Sequence, residues 1–231
     1  MNLLQGVKWI VTDIEGTTTE VSFVYSILFP YFRENLNACY TMQSDDLDRI
    51  LADTATILAA ENGDKANHYS KEVLLDTLKQ WSIEDRKITP LKELQGLIWK
   101  DGFESGTLKG HVYSDVRPAL ELWKAQGINL AVFSSGSIAA QKLLFKHSTS
   151  GDLSSFFSAN FDTTTGGKKE SDTYLKIAAL LAVNPAEILF LSDITEELEA
   201  AHAVGFKTLQ LIRPGTVSSW TETVNSFAEI Q

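Results

Sequence analysis

Three short apolar runs, each closed by polar residues, constrain the fold of this chain most. Trp9-Ile10-Val11-Thr12 runs into Asp13, Leu130-Ala131-Val132-Phe133 into Ser134, and Ile188-Leu189-Phe190-Leu191 into Ser192-Asp193. Unbroken apolar stretches of this length read as strands covered on both faces, the habit of a parallel sheet. Helix-like stretches follow at residues 137–147 and 195–203. A fourth strand is expected at 208–212, closed by Arg213-Pro214-Gly215. Strand and helix alternation predicts an α/β domain with a doubly wound parallel sheet. Ligands bind such sheets beyond the carboxyl ends of the strands, where all three polar endings fall.

Between the first two strands the pattern changes. Residues 45–60, 70–81 and 90–100 have helical spacing. Thr89-Pro90 followed by Leu91, Leu94, Leu97 and Ile98 places a proline at a helix start and apolar residues three and four apart. No strand is evident there. We expect a core domain from residues 1–19 and 107–231, and an inserted helical cap domain at 20–106, acting as a lid.

Charge narrows the function. Acidic residues outnumber basic ones 30 to 20, a formal charge of −10, and no basic run offsets it. Nucleic acid is therefore not an expected partner. A small phosphorylated substrate remains compatible, because one Mg²⁺ and one lysine cancel its repulsion locally. No apolar run approaches the ~20 residues that span a bilayer, so no membrane partner is expected. Cys39 is the sole cysteine, which fits a reducing compartment. Nothing near it in sequence would activate it. Residues 1–8 lack the regions of a signal peptide, so a cytoplasmic location is expected.

The candidate chemistry lies at the strand ends. In Asp13-Ile14-Glu15-Gly16-Thr17-Thr18 one carboxylate can attack phosphorus and ligate Mg²⁺, while the second trades protons with leaving group and water. Such a motif is also a common turn. Ser134-Ser135-Gly136-Ser137 offers a hydroxyl and amides to a phosphate oxygen, or a helix cap from Ser135 or Ser137. Lys168, after Gly166-Gly167, is brought inward to offset phosphoryl charge, or is a solvated loop lysine. Asp193 can complete a hard-cation site with Asp13. Glu197 can hold the metal's water or orient Lys168, and Glu196 suits an acidic helix start.

The order of these elements is that of the four signature motifs of the haloacid-dehalogenase-like superfamily, which the chain resembles. From about Trp9 to Gly215 it further resembles the enolase-phosphatases of methionine salvage. The resemblance rests on Asp13 to Thr19, Ser22-Phe23-Val24, Leu28 to Tyr31, Leu94-Gln95-Gly96 with Trp99, Ser134 to Ser137, Gln141 to Phe145, His147-Ser148-Thr149 and Leu189 to Asp193. Glu15 is the most telling position, since most of the superfamily carries aspartate there. Glu20 and Lys146 depart from the family pattern.

The resemblance implies a Mg²⁺ enzyme, usually monomeric. It would enolise a small phosphorylated diketone, 2,3-diketo-5-methylthiopentyl 1-phosphate, and dephosphorylate it to the acireductone 1,2-dihydroxy-3-keto-5-methylthiopentene. Asp13, Glu15 and Lys168 would be catalytic. Ser134, Ser135 and Lys168 would bind substrate. Asp13, Glu15 and Asp193 would hold the metal, with the Ile14 carbonyl. Two rival readings remain: another phosphatase of the superfamily, acting on a sugar phosphate or phosphoglycolate, and a phosphate-binding protein without turnover.

Overall fold

The structure, a computed structural model, describes residues 3–65 and 68–231. The chain divides into two compact units, Met1–Phe23 with Lys109–Gln231, and Val24–Leu108.

The first unit is built on a six-stranded, all-parallel sheet: β1 (Trp9–Thr12), β2 (Asn129–Phe133), β3 (Phe157–Phe161), β4 (Ile188–Ser192), β5 (Lys207–Leu211) and β6 (Thr223–Val224). The spatial order is β3-β2-β1-β4-β5-β6. The chain winds outward from β1 through β2 to β3, then returns to the other side of β1 with β4. That reversal leaves a crevice at the carboxyl end of β1. The four expected strands are present, the last one residue earlier than expected. The sequence reading missed β3 and β6. β3, Phe-Ser-Ala-Asn-Phe, is an edge strand with mixed burial and lacks a continuous apolar run.

Helices Ile138–Lys146, Ser171–Leu181 and Thr195–Ala203 connect the strands. The apolar sides of the last two close a core with the sheet: Val11, Phe133, Tyr174, Ile177, Phe190, Leu198 and Phe206 are all buried in one cluster. Each such side chain contributes about 1.5–3 kcal/mol of transfer free energy.

The second unit is helical. Asp45–Asn62 begins at Ser44, whose side chain accepts from the Leu47 amide, and ends at Gly63 with φ +72°. Lys71–Ile83 is capped likewise by Ser70, and Thr89–Glu104 carries Pro90 in its first turn. Leu47, Ile50, Leu75, Leu78, Leu91 and Leu94 are buried. Among the described residues, no helix is long and apolar enough to cross a membrane.

Candidate active site

Register brings the site together. Thr12 lies level with Val132 of β2 and Leu191 of β4, so Asp13, Ser134 and Ser192-Asp193 emerge at one edge of the sheet. Asp13 is buried, and its amide donates to the Leu191 carbonyl at 2.9 Å. The chain then turns. The Ile14 carbonyl accepts from the amides of Thr17, Thr18 and Thr19 and, at 3.2 Å, from the Thr18 hydroxyl. Gly16 adopts φ +76°, and a Cβ there would stand 2.2 Å from Asp193 Oδ2. The turn therefore demands glycine both for its backbone and for its packing against Asp193.

Lys168 reaches this point from the loop after β3. Its Nζ donates to Asp13 Oδ1 at 2.5 Å and lies 2.7 Å from Glu197 Oε2. Gly166 permits the approach, since a Cβ there would meet Thr173 Oγ1 at 2.2 Å. The Tyr174 hydroxyl donates to the Lys168 carbonyl at 2.6 Å. Burial disfavours the ammonium, but the charges of Asp13 and Glu197 outweigh it and hold Lys168 above the ordinary lysine value. Lys169 is the solvated neighbour: it is exposed and pairs with Glu196 at 3.0 Å.

Glu197 is buried and accepts from the Ser192 hydroxyl at 2.9 Å. On the other side, Ser134 Oγ donates to Glu15 Oε2 at 3.1 Å and accepts the Gly136 amide at 3.1 Å. Ser135 is half-buried beside it. Ser137, rather than Ser135, caps the following helix through the Ala140 amide. Thus Ser134 turns toward Glu15 while Ser137 does the capping.

The supporting contacts were not evident in sequence. Gln141 ties the serine loop to β3, donating to the carbonyls of Phe161 at 2.8 Å and Gly136 at 2.9 Å. Asp162 accepts from the Ile138 amide at 3.2 Å and the Thr164 hydroxyl at 2.6 Å. Nothing local marks the bonds of Gln141 with Phe161 and of Asp162 with Ile138, because both cross between elements.

A divalent cation fits part of the expected donor set. Four carboxylates, Asp13, Glu15, Asp193 and Glu197, act electrostatically on one another around the single ammonium of Lys168. Burial pushes the Asp13 carboxyl well up, and Glu197 and Glu15 add to it against Lys168. Burial pushes Asp193 up to about 6, with Glu197 and Glu15 again raising it. Asp193 Oδ1 is buried without a hydrogen-bond partner. A hard cation would relieve this excess of buried negative charge. The Ile14 carbonyl accepts from four donors inside the turn, and Glu15 Oε2 accepts from Ser134. Among the described residues no three His, Cys, Asp or Glu side chains gather into a ligand set. Asp13 and Asp193 fit such an ion best, Asp193 through its unpartnered Oδ1.

Comparison with known proteins agrees with this architecture. The family of haloacid dehalogenase-like hydrolases matches residues 7–205. An enolase-phosphatase E1 of Enterobacter sp. (strain 638) is 51% identical over 209 residues, covering 90% of this chain and 89% of its own. Another, from Pseudomonas aeruginosa (strain LESB58), is 48% identical and covers 97% and 98%. The crystal structure of the UTR4 protein from Saccharomyces cerevisiae superposes with a TM-score of 0.77 at 32% identity, covering 96% and 99%. CbbY from Rhodobacter sphaeroides, solved with phosphate, shares the fold at a TM-score of 0.61 and 16% identity. With a buried aspartate in the turn after the central strand and relatives matched over 90–97% of its length, the chain belongs to the enolase-phosphatase E1 family of haloacid dehalogenase-like hydrolases.

Proposed function

We propose that the protein enolises 2,3-diketo-5-methylthiopentyl 1-phosphate and removes its phosphate, yielding the acireductone of methionine salvage. The observation that carries this reading is the Asp13 carboxylate, buried at the carboxyl end of β1 and bridged by Lys168 at 2.5 Å, with Glu15 on the same turn. The name enolase-phosphatase E1, borne by relatives 48–51% identical to the chain, supports the pairing of enolisation with phosphate removal.

In this reading an Asp13 oxygen attacks phosphorus and the bond to the ester oxygen breaks, leaving a phospho-aspartate. Glu15 gives its proton to the departing oxygen. The same carboxylate then takes a proton from the water that cleaves the phospho-aspartate and releases phosphate. Lys168 offsets charge on the transferring group, and Ser134 and Ser135 donate to its oxygens. For the enolisation, we assign Glu15 as the base that removes a proton from the carbon bearing the ester. Mg²⁺, held by Asp13 and Asp193, would supply neutralisation of phosphoryl charge. The helical unit is assigned the choice of substrate, because it carries the Leu94-Gln95-Gly96 segment of the resemblance. We assign the enzyme to the cytoplasm as a monomer.

The test is incubation with the diketo phosphate and Mg²⁺, following enediol absorbance and phosphate together. Both signals should rise in step, and Asp13→Asn should abolish phosphate release. Phosphate release from Asp13→Asn above about a hundredth of wild type would refute the nucleophile. Phosphate without the enediol signal would favour a different ester as substrate.

A further inference from the structure

Arg213 lies just beyond β5 and is buried, 6% exposed. A guanidinium out of water requires partners for its charge and its donors. Nη1 donates to Asp115 Oδ2 at 2.9 Å and to the Asn225 carbonyl at 3.3 Å. Nε donates to the Thr17 carbonyl at 3.0 Å. The guanidinium carbon lies 4.2 Å from the centre of the Tyr113 ring and 5.3 Å from that of Phe227. Asp115 is fixed in turn by the Ser226 hydroxyl at 2.8 Å and the Phe227 amide at 2.7 Å. Burial pushes the Asp115 carboxyl up, but the hydrogen bonds from Arg213, Phe227 and Ser226 outweigh it and hold it below its ordinary value. Asp115 is therefore ionised at neutral pH.

Thr17 lies four residues after Asp13, in the turn that also carries Glu15 and Gly16, and it is fully buried. Its amide closes the inside of the turn on the Ile14 carbonyl, while its own carbonyl is taken by Arg213. Without the guanidinium that carbonyl would be a buried acceptor missing this donor, and the turn would relax to find another. Neighbouring bonds anchor the far end of the turn: the Tyr113 amide donates to the Thr18 carbonyl at 3.0 Å, and the Thr19 hydroxyl to the His111 carbonyl at 2.8 Å. The Arg213 bond holds the backbone in the middle of the turn, next to Gly16 and its contact with Asp193.

We propose that Arg213 is a positioning residue for the phosphoryl-transfer turn, holding the Thr17 carbonyl and so the aim of Asp13 and Glu15. Asp115 and the C-terminal residues 225–227 hold Arg213 in that pose. The idea rests on the catalytic reading of Asp13 above. A planar fork that serves a carbonyl and a carboxylate at once is a task for arginine, and a lysine ammonium cannot span both in the same way.

The test combines local hydrogen exchange with kinetics on the full chain. In Arg213→Gln, amides of a peptide covering 13–19 should exchange at least about tenfold faster, while peptides of β2 and β3 stay as in wild type. With p-nitrophenyl phosphate, kcat should fall by about a hundredfold and KM stay within about threefold, as expected when a reacting group is misaimed by about an ångström. Millimolar ethylguanidinium should restore part of the kcat of Arg213→Ala. Unchanged exchange at 13–19, or a uniform rise across β1 to β5 without rescue, would overturn the proposal, since the latter marks a general staple. If Arg213→Gln does not fold, Arg213→Lys, which keeps a cation beside Asp115, takes the same measurements, and full activity in it would also overturn the proposal. A wild-type chain that turned over no phosphate ester would count against the catalytic reading, and the exchange data would still decide whether Arg213 holds the turn.

Discussion

Gly16→Ala separates the conformational demand of the turn after β1 from its packing demand. The residue sits at φ +76°, where an alanine pays about 1–2 kcal/mol. Its new methyl would also stand 2.2 Å from Asp193 Oδ2. Restoring even a 3.0 Å separation moves the carboxylate or the turn by about 0.8 Å. A displacement of that order at the reacting groups costs approaching a hundredfold in kcat, about 2.7 kcal/mol of barrier. The conformational part alone lowers Tm by about 2–8 °C for a chain of this size. Gly6→Ala is the control, because Gly6 has φ +74° and open space around the added methyl. Thermal unfolding followed by circular dichroism should show the φ penalty in both variants. Phosphate release should collapse in Gly16→Ala and stay near wild type in Gly6→Ala. If Gly16→Ala kept activity within about threefold of wild type while losing Tm like the control, the contact with Asp193 would not constrain the site.

Glu15→Gln keeps size and hydrogen-bonding capacity but cannot trade a proton, so with a nitrophenyl ester the phospho-Asp13 form should accumulate and add its mass after an acid quench; an inactive variant without that mass would remove Glu15 from the proton path. Cation binding should be coupled to pH through Asp193, whose carboxyl is raised from 3.8 to about 6. A raised acid contributes stability that is present below about pH 4 and lost as pH climbs through 6, so the metal-free fold carries the penalty of ionised Asp193 at pH 7. Mg²⁺ should therefore raise Tm by several degrees at pH 7 and much less at pH 5, and an equal rise at both would refute Asp193 as a holder of the ion.

Much of the fold was legible because buried parallel strands need unbroken apolar runs. β1, β2 and β4 announced themselves, and each ended in the polar residue that a crevice at the carboxyl edge requires. The start of the helix at Thr89 was legible because Pro90 marks it. The edge strand β3 was not, since a strand half open to solvent mixes polar and apolar residues and loses its period. Asp13, Glu15, Ser134, Lys168 and Asp193 stood out as residues at strand ends or behind glycines. Their division of labour did not follow from order in the chain. Which of two adjacent lysines turns inward depends on Gly166 packing against Thr173 and on Tyr174 holding the Lys168 carbonyl. That the Ile14 carbonyl is occupied, that Ser134 engages Glu15, and that Arg213 reaches the Thr17 carbonyl from 196 residues away depend on the third dimension. The sequence by itself determined four of the six strands, the order of the strand-end motifs and the chemistry available at them, because hydrophobic period and residue type are local properties. Only the tertiary structure decided which donor meets which acceptor, because a hydrogen bond or ion pair exists within about 3 Å and nothing local in the chain encodes that distance.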